Sequence, residues 1–372
     1  MLPAPDPPPS TLTRALSLKA EAADLQTSGN LAQATQICRE AVTLLNGDPP
    51  PTSPRLAFLW FALGNIFEPA GAFAEALTCA EASLTAIESL LPGNGGKSGE
   101  QLRLRALGLL VTALRQLGEY AKAETHAVRQ IELATALPDG SPAKPAECSI
   151  AWNNLGMLCK YAGWFERGAA AYEKALAFAE GQSEGASRQS MLAAVLHNIG
   201  GLRHARGLFR EAEEPARRAW EIRRDLLGED HLATLADATA YAAVLDGLKR
   251  YMESRPIYEH ALEVFEKTLG PEHYEVAATL HNLALVENAQ GNRAQAIVLA
   301  RRSLALKTSL LGTNHPDTAL SAMNLASLLP VESSVEARGI LAASLIVFER
   351  TLHPDHPNLE RCHQLLERRS VA

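Results

Sequence analysis

The segments Leu269-Gly-Pro-Glu-His273 and Leu311-Gly-Thr-Asn-His315 repeat one short pattern, in which Leu-Gly is followed after two residues by His. A third copy is Leu227-Gly-Glu-Asp-His231, and a diverged copy ends at His356. The four histidines are 42, 42 and 41 residues apart. A fixed period of this length is typical of a solenoid, in which each unit is one supersecondary element stacked on the previous one. A solenoid offers an extended binding surface, so the pattern indicates binding rather than catalysis.

A second motif, Gly-x-aromatic followed by a small residue, recurs between these turns, for example from Gly207 through Phe209 to Ala212. Gly can take the left-handed conformation that ends a helix, and a small residue lets the next helix pack closely. Apolar residues at helical spacing precede and follow the motif, which predicts a helix-turn-helix hairpin. Four junctions keep the glycine and the aromatic residue, three are weaker copies and an eighth has lost the glycine. The last residues of the eight junctions are 42, 47, 45, 44, 42, 42 and 41 positions apart: Ala34, Ala76, Ala123, Gly168, Ala212, Ser254, Ala296 and Ala337.

The predicted fold class is therefore all-α, a right-handed superhelical solenoid of about eight helix-turn-helix repeats with a C-terminal capping helix. We expect a disordered proline-rich tail at residues 1–12, the repeat solenoid at residues 13–357 and the capping helix at residues 358–372. The capping helix is indicated by an apolar stripe from Leu359 to Leu366, set among Arg and Glu.

The repeat resembles the tetratricopeptide repeat, specifically the 42-residue kind found in kinesin light chains. The matching elements are Leu280-His-Asn-Leu-Ala284, Gly291 with Ala296, and Leu310-Leu-Gly-Thr-Asn-His315-Pro. The resemblance covers roughly residues 14–357 and implies concave surfaces lined by the first helix of each repeat. The chain lacks the long heptad coiled coil with which a kinesin light chain joins its heavy chain. The resemblance therefore implies a stand-alone adaptor or scaffold rather than a motor subunit.

Composition narrows the class of partner. The net charge of −7 argues against a nucleic-acid partner, which requires a basic surface. Five cysteines without a C-x-x-C pair fit buried thiols in a reducing compartment. The N-terminus has no signal-peptide pattern, and no apolar run is long enough to cross a bilayer. We expect a cytoplasmic protein with no membrane partner.

The sequence contains no combination of residues that predicts catalysis or a bound metal or cofactor. Equivalent histidines on stacked repeats should lie about 10 Å apart, whereas zinc needs nitrogens about 2 Å from one ion. Each His is therefore expected to cap its turn. The segment from Gly93 to Ser98 imitates a phosphate-binding loop but lacks its first glycine. We expect no enzyme activity, no cofactor and no metal.

A ladder of asparagines is the first candidate site. Asn154, Asn198 and Asn282 each lie nine residues before a junction glycine, and Asn324 holds a similar place. An amide both donates and accepts hydrogen bonds, as a bound peptide backbone does. The ladder therefore predicts contacts to a peptide. The other interpretation is that these side chains bond neighbouring helices within the array.

Helical spacing places further polar and basic side chains on the same predicted inner face. Basic residues at one end of a groove favour an acidic peptide through charge-assisted hydrogen bonds. The additional candidate peptide-binding residues are Arg105, Arg115, Asn153, Lys160, His197, His204, His281 and Asn288.

The predicted function is thus a non-catalytic scaffold or adaptor that holds a peptide or extended segment in its concave groove, with an acidic peptide as one candidate partner. Two alternatives remain open. The first is a structural protein that assembles with itself, and the second is a regulatory subunit of a separate enzyme. A monomer or weak homo-oligomer is expected for the adaptor, whereas an assembly protein should form stable oligomers.

Overall fold

The computed structural model of the chain describes residues 10–27, 30–90 and 96–370, and these residues form seventeen α-helices and no strand. The all-α prediction and the helical hairpins are confirmed. The first six helices are α1 Thr11–Thr27, α2 Leu31–Gly47, α3 Pro54–Phe67, α4 Phe73–Leu90, α5 Gly96–Gln116 and α6 Tyr120–Thr135. The next six are α7 Lys144–Ala162, α8 Phe165–Glu180, α9 Ala186–Ala205, α10 Phe209–Leu227, α11 Leu232–Gly247 and α12 Tyr251–Leu269. The last five are α13 Tyr274–Ala289, α14 Arg293–Leu311, α15 Pro316–Leu328, α16 Ser334–Thr351 and α17 Pro357–Ser370, with a 3-10 turn at Val331–Ser333.

The helices belong to two compact units. Apart from the turn Gly118–Tyr120, which clusters with the second unit, the division falls near the end of α6, between Leu133 and Ala134. In the first unit, small and aliphatic side chains of α1 to α4 make one core, including Ala34, Leu63 and Phe67. The second unit contains α7 to α17 and is built in the same way.

The first and last described helices, α1 and α17, pack against the helices next to them. Ser10 caps α1, because its hydroxyl accepts a hydrogen bond from the Thr13 backbone N–H at 3.3 Å. Thr11 and Leu12, which lie within the predicted tail, therefore belong to α1, and residues 1–9 of that tail lie outside the described residues. At the other end, α17 packs against α15 and α16 and buries Leu359 and Cys362. Residues 371 and 372 of the predicted cap also lie outside the described residues.

Two kinds of turn connect the helices. At Gly163, φ of 82° and ψ of 12° give a left-handed helix end, and the Trp164 N–H donates to the Cys159 carbonyl at 2.8 Å. The same bond closes the turn at Lys249, where φ of 62° is a strained value for a residue with a side chain. The second kind of turn is the Leu-Gly-x-x-His segment, in which Gly270 has φ of 87° and ψ of 160°.

The repeated histidines are helix caps, as the sequence predicted. His273 Nδ1 accepts the N–H of Glu275 at 3.1 Å, and His315 Nδ1 accepts that of Asp317 at 3.1 Å. His356 makes the corresponding contact with Asn358 at the start of α17. An accepting Nδ1 carries no proton, so each of these caps needs a neutral imidazole.

Within a hairpin the two helices approach closely. Ser149 Oγ donates to the Ala175 carbonyl at 2.8 Å, and Ser303 repeats this bond to Ala277 at 2.7 Å. Gly156 faces the buried ring of Tyr172 so closely that a Cβ atom would lie 2.4 Å from that ring. Small residues at these positions therefore set the helix spacing.

The second unit also makes a contact between hairpins that are distant in sequence. The His353 N–H donates to the Ala162 carbonyl at 3.2 Å, and the rings of His356 and Phe165 lie 5.8 Å apart. A Cβ built on Gly163 would lie 3.0 Å from His356 Cδ2. We call this set the closure contact, because it joins the turn between α7 and α8 to the loop before α17.

All five cysteines are buried, and none of them forms a disulfide. Among the described residues, no helix has the length and apolar character needed to cross a bilayer.

Candidate functional site

The first helices of the hairpins line one side of the second unit. We define the inner face as the surface that α7, α9, α11, α13 and α15 form together. Side chains bond across neighbouring first helices, as Tyr274 Oη does when it donates to Asp317 Oδ2 at 2.6 Å. First helices that are not neighbours also act on each other. Burial raises the pKa of Glu275 in α13, while the charges of His197 in α9 and Lys307 in α14 oppose that rise. Side chains of several first helices therefore interact along the inner face.

A pair of amides joins α7 to α9. Asn198 Nδ2 donates to Asn153 Oδ1 at 2.9 Å, and only 8 % of the Asn198 surface is exposed. The amide of Asn153 has a donor to spare, because its Nδ2 has only Met157 Sδ near it, at 3.8 Å. The Asn198 donor is thus used within the array, whereas Asn153 can still donate to a ligand.

A second polar cluster joins α13 to α15. Asn324 Nδ2 lies 2.9 Å from His281 Nε2, and Ser321 Oγ lies 3.1 Å from His281 Nδ1. Since Asn324 Nδ2 can only donate, His281 Nε2 accepts and the ring is neutral. Burial and the nearby Lys307 charge agree with this assignment, because they lower the pKa of His281 to about 3. Asn324 Oδ1 is buried without a hydrogen-bond partner.

Beside this cluster lies a buried ion pair. Lys307 Nζ lies 3.0 Å from Asp317 Oδ2, and only 4 % of the Lys307 side chain is exposed. Burial alone would raise the pKa of Asp317, but the Lys307 charge and the hydrogen bonds from Tyr274 and Lys307 outweigh burial and bring it to about 2. The pair stays charged and fixes α14 against α15.

A cavity of about 370 Å³ opens between α7 and α9 on the inner face. Its walls are formed mainly by Ile150, Asn153, Met191 and Val195, and Arg223 of α10 closes one end. Ile150 remains 39 % exposed, which is a large fraction for an isoleucine in a packed array. The cavity thus combines apolar walls with an amide donor and a guanidinium.

Arg223 is held in place by the next hairpin. Its Nε lies 3.0 Å from Asp237 Oδ2 in α11, and its Nη1 lies 3.5 Å from Ser190 Oγ in α9. The other oxygen of Asp237 lies 2.8 Å from His197 Nδ1, and the Asp237 carboxylate is only 5 % exposed. No described side chain pairs with Arg223 Nη2, so this nitrogen remains available at the cavity wall.

Comparison with known protein families agrees with the geometry. Family models described as tetratricopeptide repeat match residues 150–181, 192–233, 235–309 and 275–329. These segments correspond to the hairpins from α7 onward.

The chain contains tetratricopeptide repeats within residues 150–329. The predicted family is confirmed, and repeats of this family generally mediate protein–protein interaction and are typically non-catalytic.

Curated relatives share only a short part of this tetratricopeptide-repeat chain. The Clustered mitochondria protein homolog of Aspergillus terreus is 33 % identical over 90 residues, which is 24 % of this chain and 7 % of that protein. The Clustered mitochondria protein of Arabidopsis thaliana is 36 % identical over 74 residues, which is 20 % of this chain and 5 % of that protein. The chain therefore spans less than a tenth of the length of either relative.

Solved structures share the fold at low identity. BtubC (BKLC) from P. vanneervenii is 18 % identical with a TM-score of 0.50, over 65 % of this chain and 93 % of that one. The apo form of RapI is 13 % identical with a TM-score of 0.55, over 79 % and 97 % of the two chains. A Rap protein complexed with Competence and Sporulation Factor is 14 % identical with a TM-score of 0.54, over 96 % and 97 %.

The tetratricopeptide-repeat array places the predicted site residues in different settings. Arg105 is exposed and Arg115 is buried, and both belong to the first unit. The others belong to the second unit. Asn154 and Asn282 are half-buried and Asn288 is exposed, and no hydrogen bond of the Asn282 or Asn288 side chain to another described residue is seen. His204 packs edge-on against Phe209 at 5.3 Å. The asparagines therefore make separate polar groups rather than one continuous ladder.

Sequence reasoning missed Arg223 and Asp237. Arg223 precedes Arg224 in a charged run that resembles a solvated helix face, and Asp237 lies on an otherwise Ala-rich and Thr-rich helix. A single carboxylate among small residues on a first helix is the signal that could have marked this pair, because a lone buried charge needs a partner.

Proposed function

We propose that this tetratricopeptide-repeat protein is a non-catalytic scaffold that binds an extended, acidic segment of a partner protein on the inner face of its second unit. The observation that carries the proposal is the cavity between α7 and α9. Its volume of about 370 Å³ is within the range of small binding pockets. Its wall offers the Asn153 donor to a backbone carbonyl, and Ile150 and Met191 offer apolar surface to a side chain.

Selection of peptides tests the proposal directly. Random twelve-residue peptides displayed on phage are selected on the immobilised full chain, and the enriched sequences are synthesised and measured by fluorescence anisotropy. The variant Ala194→Trp places an indole in the cavity, and Ala305→Trp makes the same change at an exposed position of α14.

We expect the enriched peptides to bind wild type and Ala305→Trp equally and to lose at least tenfold in affinity for Ala194→Trp. Failure to enrich any peptide contradicts the proposed function. Equal binding by Ala194→Trp contradicts its location in the cavity.

Self-association is the competing function, and sedimentation velocity separates the two. A chain that remains monomeric at micromolar concentration agrees with the scaffold, whereas a stable oligomer at that concentration supports an assembly protein. No contact among the described residues favours the regulatory-subunit alternative.

A further inference from the structure

Two cations lie beside the seam between α7 and α9: Arg223 of α10, which is paired with Asp237 through Nε, and Lys160 of α7, which pairs with no described carboxylate. At one end, Asp237 holds Arg223 through Nε and leaves Nη2 free. A guanidinium fixed in this way is suited to bind a carboxylate, because it does not have to be immobilised again on binding. The position of Arg223 at the cavity wall directs that interaction towards a ligand in the cavity.

The second cation is Lys160, two turns along α7 from Asn153. A Cβ built on Gly201 of α9 would lie 3.2 Å from Lys160 Nζ, so the ammonium lies across the seam. It also lies 4.9 Å from the centre of the Tyr161 ring. Within the described part of the chain no carboxylate pairs with Lys160. Because residue 201 is glycine, no side chain at that position fills the space beside the Lys160 ammonium.

The distance between the two cations follows from α9. Arg223 contacts Ser190 and Lys160 lies over Gly201, and these two positions are eleven residues apart in one helix. Eleven residues at about 1.5 Å each give roughly 16 Å, and about 3.6 residues per turn place both positions on nearly the same side of α9. The amide donor of Asn153 and the cavity lie between them.

We infer that this seam selects extended peptides with two acidic residues about four positions apart, one bound by Arg223 and the other by Lys160. An extended chain advances about 3.3 Å per residue, so four residues cover roughly 13 Å, and the reach of the side chains supplies the rest. An even spacing also places both acidic side chains on the same side of the extended chain. This inference rests on the proposed function, since it names the class of peptide that the same inner face takes.

The neighbouring charges allow this arrangement. Asp237 is occupied by Arg223 and His197, and its carboxylate is buried. A carboxylate on the ligand would therefore meet the outer nitrogens of Arg223 and the ammonium of Lys160.

The test is a parallel selection of the same random peptide library on four full-length proteins: wild type, Arg223→Gln, Lys160→Gln and Arg218→Gln. Arg218 is the matched control, because it lies on α10 like Arg223 but is exposed and paired with Glu214 at 3.5 Å. Circular dichroism and thermal unfolding establish that each variant is folded. Lys160→Gln breaks no ion pair of the array, so it tests the inference even if Arg223→Gln does not fold.

We expect wild type and Arg218→Gln to enrich peptides with two acidic residues four positions apart, and Lys160→Gln to lose the preference for one of them. A synthetic peptide from the wild-type selection should lose about tenfold in affinity when either acidic residue becomes Gln, as expected for one charge-assisted hydrogen bond. With Lys160→Gln protein, one of these two peptide changes should have no further effect.

Two other outcomes would contradict the inference. Enriched peptides without paired acidic residues, or with equal affinity for Lys160→Gln, overturn the acidic spacing and leave the scaffold function standing. Absence of any enriched peptide on wild type overturns both.

Discussion

Lys249 occupies a position at which three other junctions of the second unit, at Gly163, Gly207 and Gly291, carry glycine. Its φ of 62° is left-handed, a conformation that costs a residue with a Cβ about 1 kcal/mol. We therefore predict that Lys249→Gly raises the free energy of unfolding by about 0.5–1 kcal/mol, despite the greater entropy of glycine in the unfolded chain.

Urea denaturation at pH 7.5 measures this change. Lys267→Gly is the control, because Lys267 lies within α12 in a helical conformation, where glycine should destabilise by about 1 kcal/mol. A Lys249→Gly protein that is less stable than wild type would show that the turn is not strained.

A substitution in the buried ion pair of Lys307 and Asp317 should instead lower the free energy of unfolding. Replacing Lys307 by Met keeps most of the side-chain volume but leaves the Asp317 carboxylate buried without its cation. We predict a loss of about 3 kcal/mol in the free energy of unfolding, which is typical when one partner of a buried pair is removed.

The pH dependence identifies the cause. The pKa of Asp317 is lowered from 3.8 to about 2, so the pair contributes stability that is present above pH 3.8 and lost as pH falls through about 2. The double variant Lys307→Met/Asp317→Asn should recover part of the loss at pH 7. If it is no more stable than Lys307→Met, the lost free energy comes from packing rather than from the unpaired charge.

At the scale of the element, the N-terminal ends of α13, α15 and α17 all depend on a neutral histidine cap. Burial lowers the pKa of His273, and it lowers that of His356 from 6.5 to about 4. A lowered pKa in the folded state means that unfolding takes up protons below pH 6.5. The stability from these caps is therefore present above pH 6.5 and is lost as pH falls.

Replacing His273 by Asn keeps a side chain that can cap the helix but removes the titratable imidazole. Asn is a good helix cap that does not titrate, so His273→Asn should keep its stability better on acidification. Between pH 7.5 and pH 5, we predict that wild type loses about 1 kcal/mol more than His273→Asn, measured by urea denaturation. His363→Asn, on the exposed side of α17, should follow the wild-type pH profile. An identical profile for His273→Asn would refute the neutral cap.

At the scale of the whole second unit, the closure contact can be tested with a disulfide. A Cβ built on Gly163 would lie 3.5 Å from the Cβ of His356, which is within the range that a disulfide spans. We predict that Gly163→Cys/His356→Cys oxidises to an intramolecular disulfide, seen as faster migration in non-reducing electrophoresis.

The five native cysteines are buried and should not compete. Gly163→Cys/His363→Cys is the control, since position 363 lies two turns further along α17. If both double variants oxidise equally slowly, the closure contact is not the resting state in solution.

The boundaries of the hairpins could be predicted from the sequence because they depend on local chemistry. Gly163 has a left-handed φ that glycine adopts most easily, and His273 caps the helix that it precedes. The partners across hairpins could not be predicted in this way. Asn198 bonds to Asn153 rather than to the equivalent Asn154, because the stagger of neighbouring helices decides which side chains meet. The pairing of Arg223 with Asp237 also depends on that stagger, and the closure contact depends on the accumulated curvature of five hairpins.

The closure contact also changes how the second unit folds. In an open repeat array every contact is local, so the terminal hairpins can fray independently of the rest. Here His353 bonds to Ala162, which lies 191 positions earlier, and the intervening helices must be ordered before the bond forms. This raises the contact order, and the loop-closure entropy is lost only at the last step of assembly. The C-terminal hairpin therefore cannot detach without breaking a contact with α7 and α8, and the unit should unfold as one cooperative body rather than from its end.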